Sequence, residues 1–409
     1  MNRAEKRRFE GLLLFAAGAW NTFDNWTKVL FPFMMWSLTP RPDFEQMIYI
    51  QAFCSICTFF GIFLTAFLIE NYGLRRTGIF CTLMTVIYQA MLYNVKDYYL
   101  FHFLQICLIA NHMPMIIDSC VIYLEGEDGS DKRRARMLNR LTIPISFGIA
   151  AGPYCALQIM FYLTSSLDYS QMMCAGLHLL CLLPSCFLLP DNRKESQIYD
   201  SEMVTSYIQL VKLDKTKWCL AVLLLVLGPY AAYDQVIRIL LTGTVIREPD
   251  QLNRLFFVLG GTTIGGNLFL LPWLQQRYGP RQILYGAFGL LAASYIYLAH
   301  AIEYTTLLIG MPLQVLGVSL CLGELPSQIL ATAGKSNSGK AAALIRVVHM
   351  VGYLMTPIIT GLTVDHDETT LLCYFSALVS LSAIPILHWK CDFLKSHPIL
   401  LPGFEVKCD

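Results

Sequence analysis

Long apolar runs alternate with short polar connectors from one end of the chain to the other. Twelve runs stand out, at roughly 10–38, 46–70, 75–94, 98–124, 137–163, 170–190, 217–243, 252–275, 281–301, 304–332, 341–364 and 369–390. A bilayer core is crossed by about 20 residues of helix, so the pattern predicts an all-α integral membrane protein with twelve transmembrane helices. The charge of the connectors sorts them into two sets. Those on the N-terminal side hold Arg3, Lys6, Arg7, Arg8, Arg75, Arg76, the basic cluster over 132–140 and most of the remaining cations, whereas the opposite side holds only Arg41, Lys96, Arg247 and Arg254. Basic residues stay on the cytoplasmic side of a membrane, so both termini are expected there. A longer polar connector divides six helices from six. The expected organisation is an N-terminal six-helix bundle over 1–190, a cytoplasmic linker over 191–216, a C-terminal six-helix bundle over 217–390 and a cytoplasmic tail over 391–409. Within the linker, 203–211 is amphipathic and suited to lie along the membrane surface.

Composition agrees with this reading. Apolar residues make up 55% of the chain, charged residues 14%, and the mean hydropathy is +0.51. A soluble domain carries roughly 25% charged residues, so this chain lacks the polar surface to cover itself in water. A net charge of +1 gives no basis for nucleic-acid binding. The basic start followed by an apolar run resembles a signal peptide, but no small-residue cleavage site follows and the run continues to Leu38, which predicts a retained first helix. The 14 cysteines lie mostly in apolar runs. Cys54 and Cys57 form a C-x-x-C with no second ligand pair, so they are read as small apolar residues, not a metal site. Gly334 to Lys340 nearly spells a phosphate-binding loop, yet Ala341 stands where Ser or Thr is required and no strand precedes it. That stretch is read as a connector. Neither a nucleophile–base arrangement nor a cofactor motif appears, which points away from an enzyme and predicts no bound cofactor.

The two halves echo one another. Phe23-Asp24-Asn25-x-x-Lys28-Val29 in the first helix matches Tyr233-Asp234-Gln235-x-x-Arg238-Ile239 in the seventh. Gly73 matches Gly279, Asp118 matches Glu324, and Arg140 matches Arg346, at a near-constant offset. A charge inside a bilayer costs about 2.5–3.5 kcal/mol even on the mild scale, so such residues must face one another or a watery cavity. Asp24 and Lys28 are four apart on one helix face and can neutralise each other, as can Asp234 and Arg238. With Asn21 and Asn25 nearby, Asp24 is the candidate carboxylate for exchanging protons or meeting a cationic solute, and His112 is a further candidate on the pathway. Asp118, Arg140, Glu324 and Arg346 lie nearer the cytoplasmic ends of their helices, a depth that suits a gate.

The turn Glu70-Asn71-Tyr72-Gly73-Leu74-Arg75-Arg76 resembles the signature of the major facilitator superfamily between helices two and three. Gly148-Ile-Ala-Ala-Gly152-Pro153 resembles a motif of its proton-coupled antiporters, and 338–361 resembles the eleventh-helix region of organic-cation-transporter-like solute carriers, relatives of drug and tetracycline exporters. Gln105 stands where many drug:proton antiporters carry an arginine. The resemblance implies two pseudo-symmetric bundles around a central cavity and a secondary active transporter moving a small organic solute by alternating access, coupled to protons. It implies a monomer in the plasma membrane or an endomembrane. Uniport of a neutral metabolite, or a receptor or scaffold on the same fold, are the alternatives. By similarity to sugar-carrying relatives, Asp118 is paired with Arg346 and Glu324 with Arg140 across the halves, with Glu70 near the start of helix eleven. Gln276 in place of the second-half acid implies a lopsided lock.

Overall fold

The computed structural model describes residues 3–125, 131–163, 166–189, 202–241, 249–300, 303–364 and 369–391, and no β-strand occurs among them. The first half contains α1 (Arg3–Trp36), α2 (Phe44–Leu92), α3 (Tyr98–Leu104), α4 (Met113–Glu125), α5 (Asp131–Gln158) and α6 (Leu167–Phe187). A short helix, α7 (Glu202–Lys212), precedes the second half: α8 (Asp214–Leu240), α9 (Pro249–Gly265), α10 (Leu271–Arg277), α11 (Pro280–Ala299), α12 (Tyr304–Leu354), α13 (Thr356–Thr363) and α14 (Thr370–Lys390). Ten segments among the described residues are long and apolar enough to cross a membrane. The other two spans of the twelve are α1, diluted by the polar run around Asp24, and the limb of α2 after Gly73, which opens on Arg75 and Arg76. The molecule is thus an all-α, multi-pass membrane protein.

Gly73 is where the second and third spans meet. Its backbone sits at φ 82°, ψ 167° inside α2, a left-handed conformation that a side chain would strain. The equivalent Gly279 behaves differently, at φ −72°, ψ 157°. There Pro280 occupies the first helical position of α11, and its fixed φ starts the helix directly. The same turn is therefore made by glycine in one half and by proline in the other. The stretch from Gly334 to Lys340, expected to be a connector, joins the spans Tyr304–Ile329 and Leu344–Thr363 and is helical, as part of α12. The expected break between 190 and 201, and the tail beyond Cys391, lie outside the described residues. Within the linker the amphipathic stretch is helical, and Ile208, Val211 and Leu213 are exposed on and just after α7.

The fourth span departs most from a plain helix. After α3 the backbone tightens into a 3-10 turn at Gln105–Ala110, leaves helical geometry at Asn111 and His112, and resumes as α4. Pro114 has no N–H to give to the preceding turn, so the ladder cannot run through it. Irregular backbone at membrane depth is tolerated only inside protein or beside a cavity. The eighth span carries a π turn at Gly266–Leu270.

In the first half α1 packs on α5 and α6, and α2 packs on α6 and the 3-10 turn; in the second, α8 packs on α12 and α14, and α11 on α12 and α14. The halves meet mainly where α5 touches α9 and where α2 touches α12. Small residues let these helices approach closely. A Cβ on Gly148 would stand 2.7 Å from the backbone nitrogen of Thr22, and one on Gly260 would meet Ala150 across the α5–α9 contact. A Cβ on Gly152 would be driven into the carbonyl oxygen of Thr22. Gly148 and Gly152 of the antiporter-like stripe are therefore where α1 seats on α5. Because the clash is with backbone, Gly152→Ala is expected to destabilise by about 1–3 kcal/mol and to lower the melting midpoint in detergent. Gly176→Ala, which meets nothing within 4 Å, is the matched control and should leave the midpoint unchanged.

Candidate substrate and gating site

α1 and α8 each bring an acid and a base four residues apart onto one face. Lys28 Nζ lies 2.7 Å from Asp24 Oδ2, and Arg238 Nε lies 3.0 Å from Asp234 Oδ2. Arg238 Nε also reaches Asp234 Oδ1 at 3.1 Å and its guanidinium lies over the Phe256 ring, 5.5 Å from the centroid. Exposure is unequal within the first pair: the Lys28 side chain is 56% accessible and that of Asp24 only 11%. Lys28 and Arg238, from opposite halves, line one small cavity of about 10 Å³ together with Val29, Pro32, Leu241, Leu252 and Phe256. That is space for about one water molecule. A larger cavity, about 380 Å³, lies beside the apolar side chains of Phe33, Met160, Phe161 and Leu167.

The broken fourth span explains how Asp24 is held. Asn111, at the break, donates from Nδ2 to Asp24 Oδ1 at 3.4 Å and accepts from Trp20 Nε1 at 3.2 Å and Thr85 Oγ1 at 3.3 Å. One amide thus ties α1, α2 and the fourth span at the level of the carboxylate. Sequence reading passed over Asn111; its signal was a polar residue three positions before a proline inside an apolar run. Asn21 and Asn25 are placed elsewhere. Each donates to a carbonyl one turn back on α1, Ala17 O and Asn21 O, and both adjoin the α5 glycines. They belong to the α1–α5 seam.

Beneath Asp24 lies a second polar cluster that was not foreseen. Gln89 Nε2 donates to Thr27 Oγ1 at 3.0 Å, and His178 Nδ1 lies 2.9 Å from Gln89 Oε1. His178 also stacks on Phe23 at 5.2 Å between centroids. Gln171 and His178 are both buried on α6, and their spacing of two helical turns was the available signal. Gln105, in the position of the antiporters' arginine, is fully buried and accepts from Tyr88 at 2.7 Å.

The sequence profile of the Major Facilitator Superfamily matches residues 13–323. The chain belongs to the Major Facilitator Superfamily. It is accordingly a membrane transporter and not an enzyme. Solved structures agree in fold. The human organic anion transporter MFSD10 (TETRAN) superposes with a TM-score of 0.71 at 14% identity, covering 95% of this chain and 100% of its own. A POT family transporter in complex with a thioalcohol-conjugated peptide gives 0.74 at 13% identity, covering 95% and 97%. The fucose:proton symporter FucP of E. coli gives 0.62 at 16%, covering 93% and 98%. None of the curated proteins matches the sequence.

On this facilitator fold the signature arginines act inside their own halves. Arg75 Nε donates to Leu189 O at 2.7 Å, just past the end of α6, and Arg281 Nη2 donates to His388 O at 2.8 Å in the last turn of α14. The two residues are equivalent in the repeat, and each closes the sixth span of its bundle, where carbonyls lack helical partners. Arg76 is exposed. Glu324 is 1% exposed and accepts from Gln275 Nε2 at 2.9 Å and Gln328 Nε2 at 3.0 Å; Gln275, not its neighbour Gln276, is the turn residue that reaches it. His112 is buried beside Gly61, within electrostatic reach of Arg346 from the other half. Glu70, Asp118 and Arg140 lie on α2, α4 and α5, and their side chains fall outside what the structure describes. Hydrogen bonds from a charged donor contribute about 1.5–3 kcal/mol. Arg75→Ala and Arg281→Ala are each expected to lower the melting midpoint, and their effects should add because the sites are far apart in separate bundles. An unchanged midpoint with altered cysteine accessibility at the mouth would place these arginines in the gate instead.

Proposed function

We propose that the protein is a secondary active transporter that moves a small organic solute by alternating access and couples that movement to protons through Asp24. The supporting observation is the pair of i,i+4 ion pairs at equivalent positions of α1 and α8, brought to one cavity between the halves. Transporters of this class bind at the midplane between pseudo-symmetric repeats, and rocking of one repeat against the other exposes the site to each side in turn. Here the units are 1–190 and 217–390, which meet mainly through α5 on α9 and α2 on α12. Both termini and the linker face the cytoplasm of a plasma or internal membrane, and the protein acts as a monomer.

Protonation of Asp24 removes the charge that holds Lys28, so the pair opens and Lys28 is left to the cavity. That step ties the protonation state to the solute site. Asp118, Arg140, Glu324 and Arg346 form the gate on the side of the termini, with Glu70 supporting it near α12. Breaking a buried pair by removing one partner costs about 3–5 kcal/mol, enough to bias a two-state gate.

The test is uptake by reconstituted vesicles of labelled organic acids, amines and neutral metabolites under an imposed pH gradient. One pH unit supplies about 1.4 kcal/mol per proton, or up to tenfold accumulation. Asp24→Asn should still fold, should equilibrate the solute, and should lose accumulation against its gradient. Undiminished gradient-driven accumulation in that variant contradicts the assignment.

A further inference from the structure

We propose that the site between α1 and α8 takes an organic anion, a carboxylate or sulfonate carried on an apolar body, with Lys28 and Arg238 as its two cationic contacts. The inference deepens the transport reading above and rests on it for the location of the site. What carries it is the order of charges from wall to cavity. In the first pair the acid is set back, 11% accessible and held by Asn111, while its base is 56% accessible. Both bases line the shared cavity and neither acid does; among the described residues that line it, Lys28 and Arg238 are the charged ones. In the second pair base and acid are almost equally accessible, 22% and 19%, so what the two pairs share is that the base of each borders the cavity between the halves. Lys28 and Arg238 are near enough to feel each other's charge, and Tyr353 lies within electrostatic reach of both pairs. Each base is neutralised by its own acid one turn away, and an anion placed between the two bases meets positive charge from both halves.

A cationic solute fits this arrangement poorly. It would have to displace Lys28 from a 2.7 Å contact to reach Asp24, and would face Arg238 while doing so. The remaining walls, Val29, Pro32, Leu252 and Phe256, suit a ring or short chain. Binding requires the cavity to widen from its present 10 Å³, which is the motion alternating access provides.

Purified protein in lipid nanodiscs is titrated with three probes of one shape: benzoate, benzamide and benzylammonium. The melting midpoint reports binding, since a ligand that favours the folded state raises it. Benzoate is expected to raise the midpoint and the other two to leave it unchanged. Lys28→Arg should keep the benzoate response, whereas Lys28→Gln and Arg238→Gln should each weaken it at least tenfold. Where Lys28→Gln folds poorly because Asp24 is left alone, the neutral double variant Asp24→Asn with Lys28→Gln supplies the same test. A response to benzamide or benzylammonium equal to that of benzoate overturns the proposal. So does the absence of any benzoate response, or a benzoate response that persists with both cations removed. Selective benzoate binding by the purified protein, with no solute taken up by vesicles, leaves the anion site standing and contradicts the transport reading instead.

Discussion

Two ion pairs placed inside a membrane protein set the terms for the rest of the structure. A lone carboxylate or ammonium at that depth is costly, and the chain meets the problem locally, by setting acid and base one helical turn apart on α1 and again on α8. Each pair is complete before the halves come together. The halves can therefore move relative to one another without leaving a charge stranded, a requirement for any site that must face both sides of a membrane in turn. The fixed framework around the pairs follows from this. Asn111 holds Asp24 from a broken helix, glycines seat α1 on α5, and Arg75 and Arg281 close the sixth span of each bundle.

Interactions within a half and between halves differ in kind. Within each half, contacts are extensive and include buried polar clusters such as Thr27–Gln89–His178, which fix one arrangement of helices. Between halves the main contacts are α5 on α9 and α2 on α12, and small residues meet where Ala150 faces Gly260. Smooth surfaces of this sort can slide or separate at low cost. The equivalence of Arg75 and Arg281 shows one bracing device used twice, even though the turns that present them are built by Gly73 in one half and by Pro280 in the other.

Much of this was legible in the chain. The apolar runs, the repeat and the spacing of Asp24 with Lys28 are local patterns, and helix geometry converts them directly into spans, symmetry and ion pairs. Gly73 was legible because a tight turn between helices demands a left-handed residue. What the sequence concealed depended on contacts between distant segments. Asn111 sits inside an apolar run and gains its role only where the fourth span breaks beside α1. Arg75 and Arg281 read as membrane-surface charges, yet the ends of α6 and α14 lie within their reach. Gln275 and Gln276 are adjacent, and only the helical phase of α10 decides which one meets Glu324. The connector expected between the tenth and eleventh spans does lie between them, at 334–340, but it is helical, as part of α12.

The most direct measurement of the central claim is a double-mutant cycle on the first pair, reading melting midpoints of the purified protein for Asp24→Asn, Lys28→Gln and the two combined. If each charge is tolerated because the other neutralises it, the single changes each lower the midpoint and the combined change is milder than their sum, because it leaves no charge alone. Strictly additive losses would contradict the account, since they would mean that Asp24 and Lys28 are stabilised independently by other parts of the protein.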